Sequence, residues 1–135
     1  MNSNLRSVIF VATPDIQFEG VALDAILDSG YGVRMARNFR NACLCLKAGT
    51  GDLALAIVDL DLSAHGRALL HGLGGFAPDF PILTVADEYD AFAFETSIQE
   101  IAAECLVKPI EMAVLKQSIN RLCQRNRAGN LLARV

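Results

Sequence analysis

The run Leu53–Val58, LALAIV, sets six apolar residues in succession and ends in Asp59. It does not alternate between apolar and polar, as a strand with one wet face would. A strand that reads this way is covered on both faces, which is the situation of a central strand in a parallel sheet. Such a run belongs in a core, and a carboxylate at its end is costly unless something uses it.

The rest of the chain supplies the cover. Short β-rich runs alternate with amphipathic stretches. Ser7–Val11 is a first strand, ended by Pro14. Phe18, Val21, Ala22, Ala25 and Ile26 then fall at helical spacing over 17–29, and Gly30 stops that helix. Val33–Ala36 is a second strand, and Asn38 caps a second helix over 39–48. The turn Gly49-Thr50-Gly51-Asp52 leads into LALAIVD as the third strand. A short helix over 67–73 stops at Gly74-Gly75, and Pro81 introduces a fourth strand over 82–85. A fourth helix falls within 88–101 on poor periodicity, and Cys105–Val107 is a fifth strand. Pro109 starts a fifth helix, with Met112, Leu115, Ile119 and Leu122 on one face. Five β-α repeats predict an α/β fold: a three-layer, doubly wound, five-stranded parallel sheet with five helices.

The totals agree with one compact domain. The chain has 135 residues, 53% of them hydrophobic and 20% charged, enough to bury a core. A net charge of −3 argues against a whole-domain nucleic-acid surface. No apolar run approaches the ~20 residues that span a bilayer, and the first residues, MNSNLRSVIFVA, do not read as a signal peptide. The expected location is the cytoplasm. Cys43, Cys45, Cys105 and Cys123 form no CxxC pair and are expected to be small buried thiols. The domain is expected over 1–124, with 125–135 as a basic tail or linker.

In a sheet of this kind, functional groups gather beyond the carboxyl ends of the strands. Asp59 ends strand three, Thr13-Pro14-Asp15 follows strand one, Ala86-Asp87 follows strand four, and Lys108 ends strand five. The topology predicts a carboxylate and an ammonium facing each other across a shallow cleft.

At these residues the sequence resembles a response-regulator receiver domain, the phosphoacceptor module of two-component signalling. The resemblance spans roughly 7–124. It rests on IVDLDL (57–62), with an aspartate closing strand three, and on LVKPI (106–110), with Lys-Pro closing strand five; FPILTV (80–85) fits strand four. It implies the flavodoxin-like strand order 2-1-3-4-5. It also implies Asp59 as phosphoacceptor, Lys108 as the cation that neutralises a phosphoryl oxygen, and Asp59, the backbone carbonyl of Asp61 and, through a one-residue loop shift, Asp15 as ligands to Mg²⁺. A cis peptide before Pro109 belongs to the same pattern. Asp59 would attack the phosphorus of a phosphohistidine, and the acyl phosphate forms as the P–N bond breaks. The implied partners are a histidine kinase or phosphotransfer protein and an output domain or partner protein. A homodimer through the fourth helix, fifth strand and fifth helix is also implied, without membrane or direct nucleic-acid contact. No enzymatic activity is implied beyond self-phosphorylation on Asp59.

The departures from the pattern cluster at the same rim. The two adjacent acids that hold Mg²⁺ in the family fall on Thr13 and Pro14, with Asp15 one place late. The hydroxyl residue after strand four falls on Ala86, Thr84 lies inside the strand pointing elsewhere, and the switch aromatic falls on Cys105. Ser63 replaces a proline, and the loop to Gly66 is one residue short. Mg²⁺ binding is therefore expected to be weak or absent, and the chain reads as a degenerate receiver. A phosphorylation-independent interaction domain is the competing reading. In that case Asp59 caps backbone N–H groups or pairs with Lys108. On either reading the Asp61 side chain is expected to be a solvated loop acid. A flavodoxin-type ligand binder is disfavoured, because ATPD (12–15) lacks the residues that cradle a flavin phosphate. His65 and His71 are expected to be exposed and to carry no chemistry. Arg121, Arg125, Arg127 and Arg134 suit a solvated helix end or a linker to an output domain.

Overall fold

The computed structural model describes residues 6–62, 66–75, 79–88 and 99–133. Five strands form one all-parallel sheet: β1 (Val8–Ala12), β2 (Gly32–Ala36), β3 (Leu53–Asp59), β4 (Ile82–Ala86) and β5 (Glu104–Val107), in the order β2-β1-β3-β4-β5. Helices α1 (Ile16–Asp28), α2 (Phe39–Ala48) and α3 (Gly66–Gly75) follow the first three strands, and a C-terminal helix runs from Met112 to Ala133. The helix expected within 88–101 lies mostly outside the described residues, with helical backbone at 99–101. The C-terminal helix starts three residues after Pro109, and its backbone continues through the basic segment to Ala133.

All seven residues of β3 are buried, as the unbroken apolar run requires. Its side chains feed two core layers. Leu53, Ala56 and Val58 pack with Phe10, Leu69, Leu73 and Phe80 on the side of α2 and α3. Leu55 and Ile57 pack with Ile9, Val11, Phe18, Ile26, Leu115 and Ile119 on the side of α1 and the C-terminal helix. A register shift where β1 meets the start of β3, from Val8↔Leu53 to Ile9↔Leu55, puts Ala54 and Leu55 in the same layer. Beyond it the two-residue period is regular, so Asp59 takes the parity of Leu55 and Ile57, toward α1.

Local chemistry fixes the helix ends near the rim. Asp15 caps α1 by accepting from the N–H groups of Gln17 and Phe18, and Asn38 caps α2 by accepting from Asn41 N–H. Gly30, at φ 88°, turns the chain out of α1 while Tyr31 N–H reaches back to the Ile26 carbonyl. The sheet ladder then extends one residue past three of the strands. Thr13, Leu60 and Lys108 donate backbone N–H groups to the carbonyls of Ala36, Val85 and Ala86. Those bonds set the heights of the β1, β3 and β5 exits at one edge.

β5 is an edge strand with one face much drier than the other. Cys105 and Val107 lie on its exposed face, so Cys105 is not the buried thiol that its apolar neighbours suggest. Cys43 and Cys45 are half-buried on α2, and only Cys123 is buried. His71 is exposed on α3, as expected, while Ser63 and His65 lie outside the described residues.

Candidate functional site

Five side chains, Thr13, Asp15, Asp59, Asp61 and Lys108, meet at the C-terminal rim from three strand ends. Asp59 is completely buried. Its Oδ2 accepts from Lys108 Nζ at 2.7 Å and from Thr13 Oγ1 at 2.6 Å, and its Oδ1 accepts from Asp61 N–H at 2.9 Å. Thr13 is also fully buried, and its hydroxyl accepts in turn from Asp15 N–H at 3.1 Å. A carboxylate held in a dry site requires such pairing and hydrogen bonding. Among the described residues no buried side-chain nitrogen or oxygen lacks a partner.

Lys108 reaches this cluster from the end of β5, just before the cis Lys108–Pro109 bond. Its Nζ also meets Asp15 Oδ2 at 3.1 Å and Asp61 Oδ2 at 3.2 Å, and lies 6.0 Å from the centre of the Phe18 ring. Burial pulls the Lys108 pKa down, but the facing carboxylates of Asp59, Asp15 and Asp61 outweigh it and hold it above the ordinary lysine value. Burial pushes the Asp15 carboxyl up. The N–H of Phe18, the Lys108 ammonium and the N–H of Gln17 together bring it below the usual aspartate value.

The fold thus brings Asp59, Lys108 and Asp15 together, including the acid that the sequence places one position late. Two roles differ from expectation. Asp61 contributes its side chain, which turns back onto Lys108 instead of standing in solvent. Thr13 is not only a missing acid, because its hydroxyl is the second donor to Asp59 Oδ2. The signal for Thr13 was a hydroxyl residue immediately beyond a buried strand that ends level with Asp59. Ala86 is buried and offers no polar group, and the Thr84 hydroxyl points to the Glu104 carbonyl at 3.4 Å instead of the rim.

Three solved structures similar to this chain share its architecture. A response regulator receiver domain from Clostridium thermocellum is 17% identical, with a TM-score of 0.80, covering 90% of this chain and 98% of that one. A CheY-like receiver domain protein from Methanospirillum hungatei is 17% identical, with a TM-score of 0.79 and coverage of 91% and 98%. NtrX from Brucella abortus is 17% identical with a TM-score of 0.83, and 96% of this chain matches 29% of that longer protein. The fold is that of a receiver domain. No family model and no curated protein matches the sequence.

The resemblance to receiver domains implies Mg²⁺ at this rim, and the arrangement of its side chains does not fit it. A small hard cation needs several oxygen ligands at close range. Here the three carboxylates converge on an ammonium instead. Among the described residues no three His, Cys, Asp or Glu side chains form a group that could hold a metal ion.

Proposed function

We propose that the chain is a receiver-fold signalling module that works through protein contacts, without phosphorylation of Asp59. The observation that carries this reading is the state of the Asp59 carboxylate. It is 0% exposed, and both oxygens are already engaged by Thr13, Lys108 and the Asp61 N–H. Attack on phosphorus needs an accessible lone pair and room for the phosphoryl group in line with it, and a fully buried carboxylate offers no such room. Ala86 offers no hydroxyl and Cys105 no aromatic ring to relay a modification. The partner in this reading is an output domain or a separate protein. The contact face is the exposed side of β5 with the start of the C-terminal helix, where Val107, Met112 and Val114 are exposed. A homodimer through that face is compatible with it. The location proposed is the cytoplasm, and no helix among the described residues is long and apolar enough to cross a membrane.

A second reading keeps Asp59 as acceptor of a phosphoryl group from a histidine kinase or phosphotransfer protein. What favours it is the 2.7 Å Asp59–Lys108 pair at the carboxyl edge of a receiver fold. One experiment separates the two. The protein is incubated with acetyl phosphate and Mg²⁺, and separately with phosphorylated histidine kinase, and its intact mass is measured. The first reading predicts an unchanged mass. Gain of one phosphoryl group that is absent in Asp59→Asn establishes the second.

A further inference from the structure

We infer that Lys108 is the resident cation of the rim: its ammonium takes the position among Asp15, Asp59 and Asp61 that a divalent ion would need, and the rim is built without one. The match is one of valence as well as charge. An ammonium carries three N–H donors and no acceptor. Lys108 Nζ has three carboxylate oxygens around it, at 2.7, 3.1 and 3.2 Å, from the end of β3 and the loops after β1 and β3.

The remaining oxygens of two of these acids are committed elsewhere. Asp15 Oδ1 accepts from Gln17 and Phe18 N–H at the start of α1, and Asp59 Oδ1 accepts from Asp61 N–H. Three carboxylates against one ammonium leave a formal −2, which could itself draw in a cation. That charge is partly offset by the positive end of α1, which Asp15 caps, and by the N–H groups just named. Thr13 adds no charge, and its hydroxyl donates to the oxygen that Lys108 also holds. The Lys108 side chain is only 13% exposed, with the Phe18 ring near the ammonium. An entering divalent ion would have to expel this ammonium from a largely buried set of pairs and also shed its own water, an exchange with two desolvation costs against it.

The same geometry says what removing the ammonium does. Lys108→Met keeps an unbranched stem but removes the ammonium that holds the three carboxylates in their present places, so they should be able to close around a divalent ion as they do not in the natural protein. This inference extends the proposed function, yet the two fail separately. Cation binding by the natural protein overturns the resident-ammonium assignment. Phosphorylation of Asp59 overturns the proposed function.

The experiment is a Mn²⁺ titration of the natural protein and of Lys108→Met, followed by paramagnetic broadening of the backbone amide signals of Gln17 and Asp61. Melting temperatures with Mg²⁺ and Ca²⁺ accompany it. The natural protein should show no selective broadening and no saturable melting shift. Lys108→Met should melt lower without metal, recover in a saturable way with Mg²⁺ or Ca²⁺, and bind Mn²⁺ about tenfold more tightly or better, since affinity in oxygen sites follows ligand charge. Selective broadening of Gln17 and Asp61 in the natural protein overturns the assignment, as does a folded Lys108→Met that ignores all three ions. If Lys108→Met does not fold, the titration of the natural protein decides alone: broadening refutes the inference and its absence supports it.

Discussion

Thr13 donates a hydroxyl hydrogen bond to a carboxylate that has no access to water. Its own oxygen is used by Asp15 N–H, so one small side chain couples the β1 exit, the α1 cap and the end of β3. Thr13→Val keeps the shape and removes the donor. Asp59 Oδ2 keeps Lys108 but loses one of its two donors, and a hydrogen bond to a charged group contributes about 1.5–3 kcal/mol. Thr13→Val should therefore lower unfolding free energy by that amount in urea titrations, while Thr13→Ser should retain most of it. Equal stability of natural protein and Thr13→Val would show that Lys108 and Asp61 N–H suffice. The sequence made Asp59 and Lys108 legible because each closes a recognisable strand. It hid Thr13 and the Asp61 side chain, because their roles depend on the height at which separate strands leave the sheet. That height comes from ladder bonds such as Thr13 N–H to Ala36 and Lys108 N–H to Ala86.

At the scale of elements, the start of α3 lies directly against the end of β3. A Cβ on Gly66 would stand 2.7 Å from the Leu60 carbonyl oxygen and 2.9 Å from that of Asp59. Both are backbone atoms at the end of β3 and just beyond it, so they cannot swing aside as a side chain would. Gly66→Ala should destabilise by about 1–3 kcal/mol, the usual range for forced overpacking. It should also disturb the amide signals of Asp59 and Asp61. At Gly72, further along the same helix, a Cβ would meet nothing within 4 Å. Gly72→Ala should instead stabilise by up to about 1 kcal/mol through helix propensity. The reverse order of the two variants in thermal melts would show that α3 does not press on β3. Strands and caps were readable from the sequence: Asn38 and the unbroken run of β3 each carry a local signal. The start of the C-terminal helix was not, because Pro109 suits a first helical turn by its φ alone, and the chain instead enters the helix at Met112. The exposure of Cys105 escaped too, since it depends on which face of an edge strand the neighbouring layer covers.

Across the whole molecule, ion pairs brace the sheet away from the rim as well as at it. Arg34 on β2 makes two hydrogen bonds to Asp52, in the turn before β3, at 2.8 and 3.3 Å. The Asp52 carbonyl also accepts the N–H groups of Ser7 and Val8, so the pair ties an edge strand to the turn that feeds the central strand. The Arg34 guanidinium holds the Asp52 carboxyl below its ordinary value of 3.8, against a smaller opposing push from burial. A depressed carboxylate pKa adds stability that is present above the unfolded value and lost as pH falls through the folded one. Lys108 works in the opposite sense. Its pKa is raised, so its contribution is complete below the ordinary lysine value of 10.5 and is lost only as pH rises through its folded value. These groups together predict a stability plateau across neutral pH and an acid limb that begins below the ordinary aspartate value. Asp52→Asn removes one titrating group from that limb while keeping a carbonyl oxygen for Arg34. Because the two side chains are 34% and 44% exposed, the loss at neutral pH should stay below about 1 kcal/mol. The measurement is the urea midpoint at about pH 7 and about pH 3 for both proteins, where linkage requires the variant to show the smaller acid drop. An equal drop would mean that Asp52 titrates alike in the folded and unfolded chains, and that the acid limb belongs to other carboxylates, Asp15 among them.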